Sequence, residues 1–148
     1  MLYTDNTYKF TAVLNARIPA PKLMNALAHA TAGLADDLDG DATYLDYPNA
    51  ADGWSAKISL HPFIILQAKN SSQIASARAA AKEAAIKHNV FVSTMIGSSA
   101  DDQIARTREA TGEGLDYWAL VLFGDSKLLQ PITKKFSLLT INPAPTGG

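Results

Sequence analysis

Four short stretches of this chain are apolar without alternation: Phe10-Thr11-Ala12-Val13-Leu14, Phe63-Ile64-Ile65-Leu66, Val90-Phe91-Val92 and Tyr117-Trp118-Ala119-Leu120-Val121-Leu122-Phe123. A strand covered by helices on both faces reads this way. Between these stretches the period lengthens. Leu23, Leu27, Ala30, Leu34 and Leu38 recur every three or four residues, predicting a helix from Ala20 to Leu38 with one core-facing stripe. Pro19 and Pro21 suit its start, where a missing N–H is harmless. An Ala-rich segment predicts a second helix from Ser71 to His88, opened by Asn70 and Gln73 in a capping-box pattern. A third, weaker helix is expected from Ala100 to Ala110, with Asp101 and Asp102 at its positive end and Gly112 beyond it. A fourth follows Gly124-Asp125-Ser126 and runs to Phe136, interrupted at Pro131. Thr43–Tyr47 and Trp54–Leu60 predict a small hairpin across Pro48–Gly53.

The order of elements predicts a three-layer α/β domain around a small mixed sheet. One domain is expected over residues 1–148, its core spanning about 8–138, with a flexible tail at 142–148 containing two prolines and two glycines. Ligands of such sheets bind beyond the carboxyl ends of the parallel strands. Those ends fall at Asn15–Lys22, Lys69–Ser71 and Met95–Ser99.

Composition narrows the function. Apolar residues make up 47% of the chain, as in a globular protein. Lys plus Arg number 13 against 14 Asp plus Glu, so no whole-chain basic footprint exists for nucleic acid. The absence of cysteine excludes disulfides, thiol nucleophiles and cysteine zinc sites. The segment Met1–Tyr8 is polar, so no signal peptide is expected, and no apolar stretch reaches the roughly 20 residues of a membrane span. A cytoplasmic protein is expected.

The most site-like feature is Lys22 with His29, seven residues apart. On a helix they lie nearly in line, roughly 10 Å apart, with Asn25 between them and the leucine stripe opposite. Lys22 could hold an anion near the helix N-terminus, Asn25 could orient a polar group, and His29 could act as acid or base. The same spacing also describes an ordinary solvated helix face. Thr94, Ser98 and Ser99 follow a predicted strand, and Gly97 beside them lets backbone approach a ligand. A plain strand-to-helix turn accounts for that loop equally. No metal is expected: the run Asp36-Asp37-Leu38-Asp39-Gly40-Asp41 lacks the glycine and glutamate of a calcium loop, having Ala42 and Pro48 there. His29, His61 and His88 show no ligand spacing, and no cofactor motif is present. His61 reads as a loop residue and His88 as a helix C-terminal one.

The strand–helix segment Tyr8–Leu34, with its Lys-x6-His spacing, resembles the start of the type II peptidyl-tRNA hydrolases. Phe63–Ile96 and Tyr117–Leu138 resemble that family's later elements in the same order. The resemblance implies an α/β/α domain on a four-stranded mixed sheet with an antiparallel last strand. The chain departs from the hydrolase pattern at Ala26, where the family carries a glutamine, and at Ile96-Gly97-Ser98-Ser99, where it carries Asp, Gly and Thr. Lys22-Leu23-Met24-Asn25-Ala26-Leu27-Ala28-His29 with Phe91-Val92-Ser93-Thr94 more closely resembles a bacterial family of domains of unknown function with that fold. That likeness implies no particular activity.

The sequence therefore leads to a small polar or anionic ligand bound at the start of the first helix, in a protein that could be an unassigned enzyme. The alternatives are a divergent peptidyl-tRNA hydrolase and a non-catalytic homodimeric interaction module.

Overall fold

The computed structural model describes residues 7–97 and 99–141. The chain runs β1 (Tyr8–Asn15), α1 (Ala20–Leu38), β2 (Tyr44–Pro48), β3 (Ser55–Ser59), β4 (Phe63–Ala68), α2 (Ser71–Glu83), β5 (Lys87–Val92), α3 (Ala100–Glu109), β6 (Tyr117–Asp125), α4 (Ser126–Thr133) and β7 (Ser137–Leu138). The main sheet has five strands in the order β5-β6-β1-β4-β7, and β2-β3 form a separate two-stranded hairpin. β4 runs parallel to β1, whereas β6 is antiparallel to both β1 and β5, and β7 is antiparallel to β4. The carboxyl ends of β1, β4 and β5 therefore share one edge of the sheet. The expected four strands become five because β7, at Ser137–Leu138, pairs with Gln67 and Leu66. Two residues are too short to leave a hydrophobic period in the sequence.

Alternation along the strands divides the core into two layers. Phe10, Ala12 and Leu14 of β1 pack on one face with Leu23, Ala26, Ala30, Leu34 and Leu38 of α1. Val13 packs on the other with Ile74, Ala77 and Ala81 of α2 and Leu129 and Ile132 of α4. The buried stripe of α1 differs from the expected one by a single position. Ala26 is fully buried and Leu27 only partly so. Small side chains at 26 and 30 suit the contact with the sheet, and Leu27 is left on the flank.

The β6 strand carries an irregularity that matters for the site. Phe91 pairs with Ala119 but Val92 pairs with Tyr117, so Trp118 is skipped. This extra residue places consecutive Trp118 and Ala119 on the α1 face, between Tyr117 and Leu120 on the other. A bulge is the device that turns a side chain to the opposite face in this way.

α2 stops at Glu83, five residues before His88. Ala85 takes a left-handed conformation at φ 56°. Its N–H donates to the Lys82 carbonyl at 3.1 Å, and the Ile86 N–H donates to that of Ala81 at 2.9 Å. These two bonds make a Schellman stop, a position glycine usually fills. With alanine there, the sequence pattern runs on and conceals the boundary. His88 consequently lies in β5, with Nδ1 2.7 Å from the Ile86 carbonyl oxygen.

The starts of the helices follow the sequence closely. Asn70 accepts a hydrogen bond from the Gln73 N–H at 3.0 Å, and the Gln73 side chain reaches back to the Lys69 N–H at 2.8 Å. Asp125 caps α4 through the Lys127 N–H at 2.8 Å. α4 ends at Thr133 rather than Phe136, with Pro131 inside it. His61, in the turn before β4, is a buried residue: Nε2 accepts the Thr43 N–H at 3.0 Å while its ring packs on Phe123. It ties the base of the hairpin to the sheet. The tail expected to be flexible, 142–148, lies outside the described residues.

Candidate functional site

Lys22, Asn25 and His29 all lie on the exposed face of α1, as the spacing requires. Beneath that face is an aromatic platform made possible by the bulge. The Phe91 and Trp118 rings lie 5.7 Å apart. Lys22 Nζ sits 5.8 Å over the Trp118 ring, and the His29 ring is 6.1 Å from that of Phe91. Trp118 is held by its indole N–H, which donates to Asp116 Oδ2 at 3.2 Å.

The two members of the pair then diverge. His29 and Asn25 line a cleft of about 310 Å³, together with Asn89 and Phe91 of β5, Met95, and Gln103 of α3. Lys22 stands outside the cleft lining, over Trp118. The start of α1 offers little to an anion. Pro21 has no N–H, and the N–H groups of Lys22 and Leu23 both donate to the Pro19 carbonyl, at 3.0 and 3.1 Å.

Two of the cleft amides are held in place by backbone. Asn89 Nδ2 donates to the Ala30 carbonyl at 3.1 Å. Gln103 Nε2 donates to the Gly97 carbonyl at 3.2 Å. Each amide is thus oriented by one of its two N–H donors, which leaves the second N–H and the side-chain oxygen for a ligand. Asn89 reaches α1 only because residue 33 is glycine: a Cβ there would meet Asn89 Nδ2 at 2.6 Å. No Asp, Glu, Lys or Arg is among the described residues lining the cleft.

The loop after β5 is placed differently from the sequence expectation. Thr94 Oγ1 is 2.7 Å from Thr107 Oγ1 of α3, which in turn donates to the Gln103 carbonyl. Ser99 caps α3, accepting the Asp102 N–H at 3.2 Å. Neither residue lines the cleft, and Ser98 lies outside the described residues. Arg106 holds the loop from the side, pairing with Asp102 at 3.0 Å and donating to the Ile96 carbonyl. Ala26, where the hydrolases carry glutamine, is fully buried against the sheet and presents nothing to the cleft.

Asn89 and Gln103 are the cleft residues that the sequence reading missed. Asn89 carries one usable signal, a polar amide directly before the apolar Val90-Phe91-Val92 run. Gln103 carries none, since an exposed-face glutamine on a weak helix is unremarkable in sequence. Among the described residues no group of three or more His, Asp or Glu could hold a metal ion, and no described helix is long and apolar enough to cross a membrane.

Residues 8–140 match the model of a family described as a protein of unknown function, DUF2000. No curated protein matches the sequence. Among solved structures, a protein of unknown function from Agrobacterium tumefaciens is similar at a TM-score of 0.77 and 16% identity, over 91% of this chain and 99% of that one. A likeness at that identity speaks to the fold alone.

Proposed function

The chain belongs to the DUF2000 family, and from that premise we propose that it binds a small, neutral polar molecule in the cleft between α1, β5 and α3. The observation that carries this reading is the pair of pinned amides. Asn89 and Gln103 each spend one N–H on a backbone carbonyl and so hold a second N–H and an acceptor oxygen in fixed orientation for a ligand. Asn25 adds a donor and an acceptor, and His29 offers a ring nitrogen of either kind. A neutral partner that both donates and accepts, such as a carboxamide or a polyol, complements that set. The volume of about 310 Å³ suits a compact metabolite. Phe91 and Met95 supply apolar wall for the remainder of such a molecule. An anion is the poorer match, because Lys22 rests on Trp118 and the first-turn N–H groups at 22 and 23 are taken.

His29 is also the residue on which an unassigned enzyme activity would rest, as an acid or base beside the bound molecule. The test is a ligand screen by melting temperature, with neutral amides, nucleosides and polyols in one arm and carboxylates and phosphates in the other. Stabilisation is expected in the neutral arm. Asn25→Ala and His29→Ala should each weaken binding at least about tenfold, the size of losing one buried polar contact. Lys22→Met should leave affinity unchanged. Binding confined to the anionic arm, and lost in Lys22→Met, refutes the reading.

A second reading, a homodimeric interaction module, is supported by the hairpin. Its register pairs Leu45 with Ile58 and Tyr47 with Ala56 on one face, while Asp46 and Lys57 form an ion pair on the other. Ile58 and Trp54 are each about half exposed, at 48% and 54%. Sedimentation of Trp54→Glu and Ile58→Glu variants tests it: a dimer held by this face becomes a monomer.

A further inference from the structure

The opposite flank of α1 carries a second cavity, of about 190 Å³, with an entirely different lining. Leu14 of β1, Ile65 of β4, Leu23 and Leu27 of α1, and Leu139 and Ile141 after β7 form its walls. No polar residue is among the described residues lining it. The cavity exists because the buried stripe of α1 is centred on Ala26 and Ala30, which leaves Leu27 beside the core rather than in it. Its wall is closed late, by the β7 pairing with β4 and by the Leu139 N–H donating to the Ile65 carbonyl at 3.0 Å.

Two observations separate this from a packing defect. Native interiors have few voids larger than a water molecule, and an engineered apolar cavity of about 150 Å³ is already enough to stay dry and take up benzene. This one is larger. In addition, the side chains at its border remain in water: Met24 is 61% exposed and Ile141 55%. A void left by poor packing has no reason to be bordered by exposed apolar side chains, whereas an apolar guest would cover them. Met24 is unbranched and polarizable, and so adapts to such a guest.

We infer that this cavity is a binding site for a compact apolar group, a single aromatic ring or a short branched hydrocarbon chain. Charged and hydrogen-bonding groups are excluded from its interior, because nothing there would replace their lost water. Its volume is too small for a helix or a strand of a partner protein, so the occupant is a small molecule or the apolar end of one. The site is independent of the polar cleft, which lies on the other flank of α1 and shares no lining residue with it.

The test uses the full chain, methyl-labelled at Leu, Ile and Met, titrated with benzene. Saturable shifts are expected at the methyls of Leu23, Leu27, Ile65 and Leu139. Leu27→Phe, which fills the cavity from α1, should weaken benzene binding at least tenfold. Leu139→Phe fills it from the opposite wall and serves if Leu27→Phe folds poorly. His29→Ala should leave benzene binding as it is. The proposal is overturned if benzene gives no saturable shift up to its solubility, if both filling variants bind it like the parent, or if the shifts fall on Phe91 and Met95 neighbours instead.

Discussion

Replacing Gly33 with alanine tests the contact that builds the polar cleft. Gly33 lies inside α1, where alanine is favoured over glycine by about 1 kcal/mol. Against this, the new Cβ would stand 2.6 Å from Asn89 Nδ2, closer than two such atoms approach. The atom that must yield is the amide that donates to Ala30 at 3.1 Å. Displacing it gives up one hydrogen bond, worth about 1 kcal/mol net, and moves the Asn89 side chain within the cleft lining. The two effects nearly cancel, so Gly33→Ala alone should change stability by less than about 1 kcal/mol. In an Asn89→Ala background nothing obstructs the methyl, and the same substitution should stabilise by about 1 kcal/mol. Urea denaturation of the four proteins measures the coupling, expected at about 1–2 kcal/mol. An identical effect of Gly33→Ala in both backgrounds would mean that Asn89 does not press on α1 there, and the account of the cleft would fail. The single variant should also lose affinity for the cleft ligand while remaining folded, a pairing that simple destabilisation does not produce.

Two other substitutions address the fold that carries the cleft. Ala85→Gly relieves a left-handed alanine at an exposed position, and after glycine's greater unfolded-state entropy is subtracted should stabilise by up to about 1 kcal/mol; a lower melting temperature would contradict the Schellman stop. Asn15→Ala removes a buried amide that donates to the Tyr117 carbonyl and accepts the Arg17 N–H, each at 3.0 Å, and should cost about 2–3 kcal/mol in a urea titration; a loss below 0.5 kcal/mol, the range of ordinary surface changes, would show that water replaces both bonds.

Much of the architecture was legible because periodicity records which faces are buried. The apolar runs at Phe10–Leu14, Phe63–Leu66, Val90–Val92 and Tyr117–Phe123 lie in β1, β4, β5 and β6, the four longest strands of the main sheet. The cap at Asn70 was readable because capping is a local chemistry of side-chain oxygen and nearby N–H. Where the reading slipped, the cause was also physical. Ala85 performs the task of a glycine, and β7 is too short to have a period.

The candidate site divides along the same line. Helical spacing alone placed Lys22, Asn25 and His29 on one exposed face of α1, since that depends only on the pitch of the helix. Which of them border a cleft depends on what stands opposite, and no spacing within one helix can encode it. Tertiary structure decided that β5 and α3 meet His29 and Asn25, bringing Asn89 to them from 60 residues beyond His29 and Gln103 from 74 residues beyond it in chain order. It decided too that a bulge on β6 turns Trp118 under Lys22 and takes the ammonium group out of the site. Register across a sheet and the rotation of a helix on it are settled by the packing of the whole core, through the balance of many contacts each too weak to be read singly from the chain.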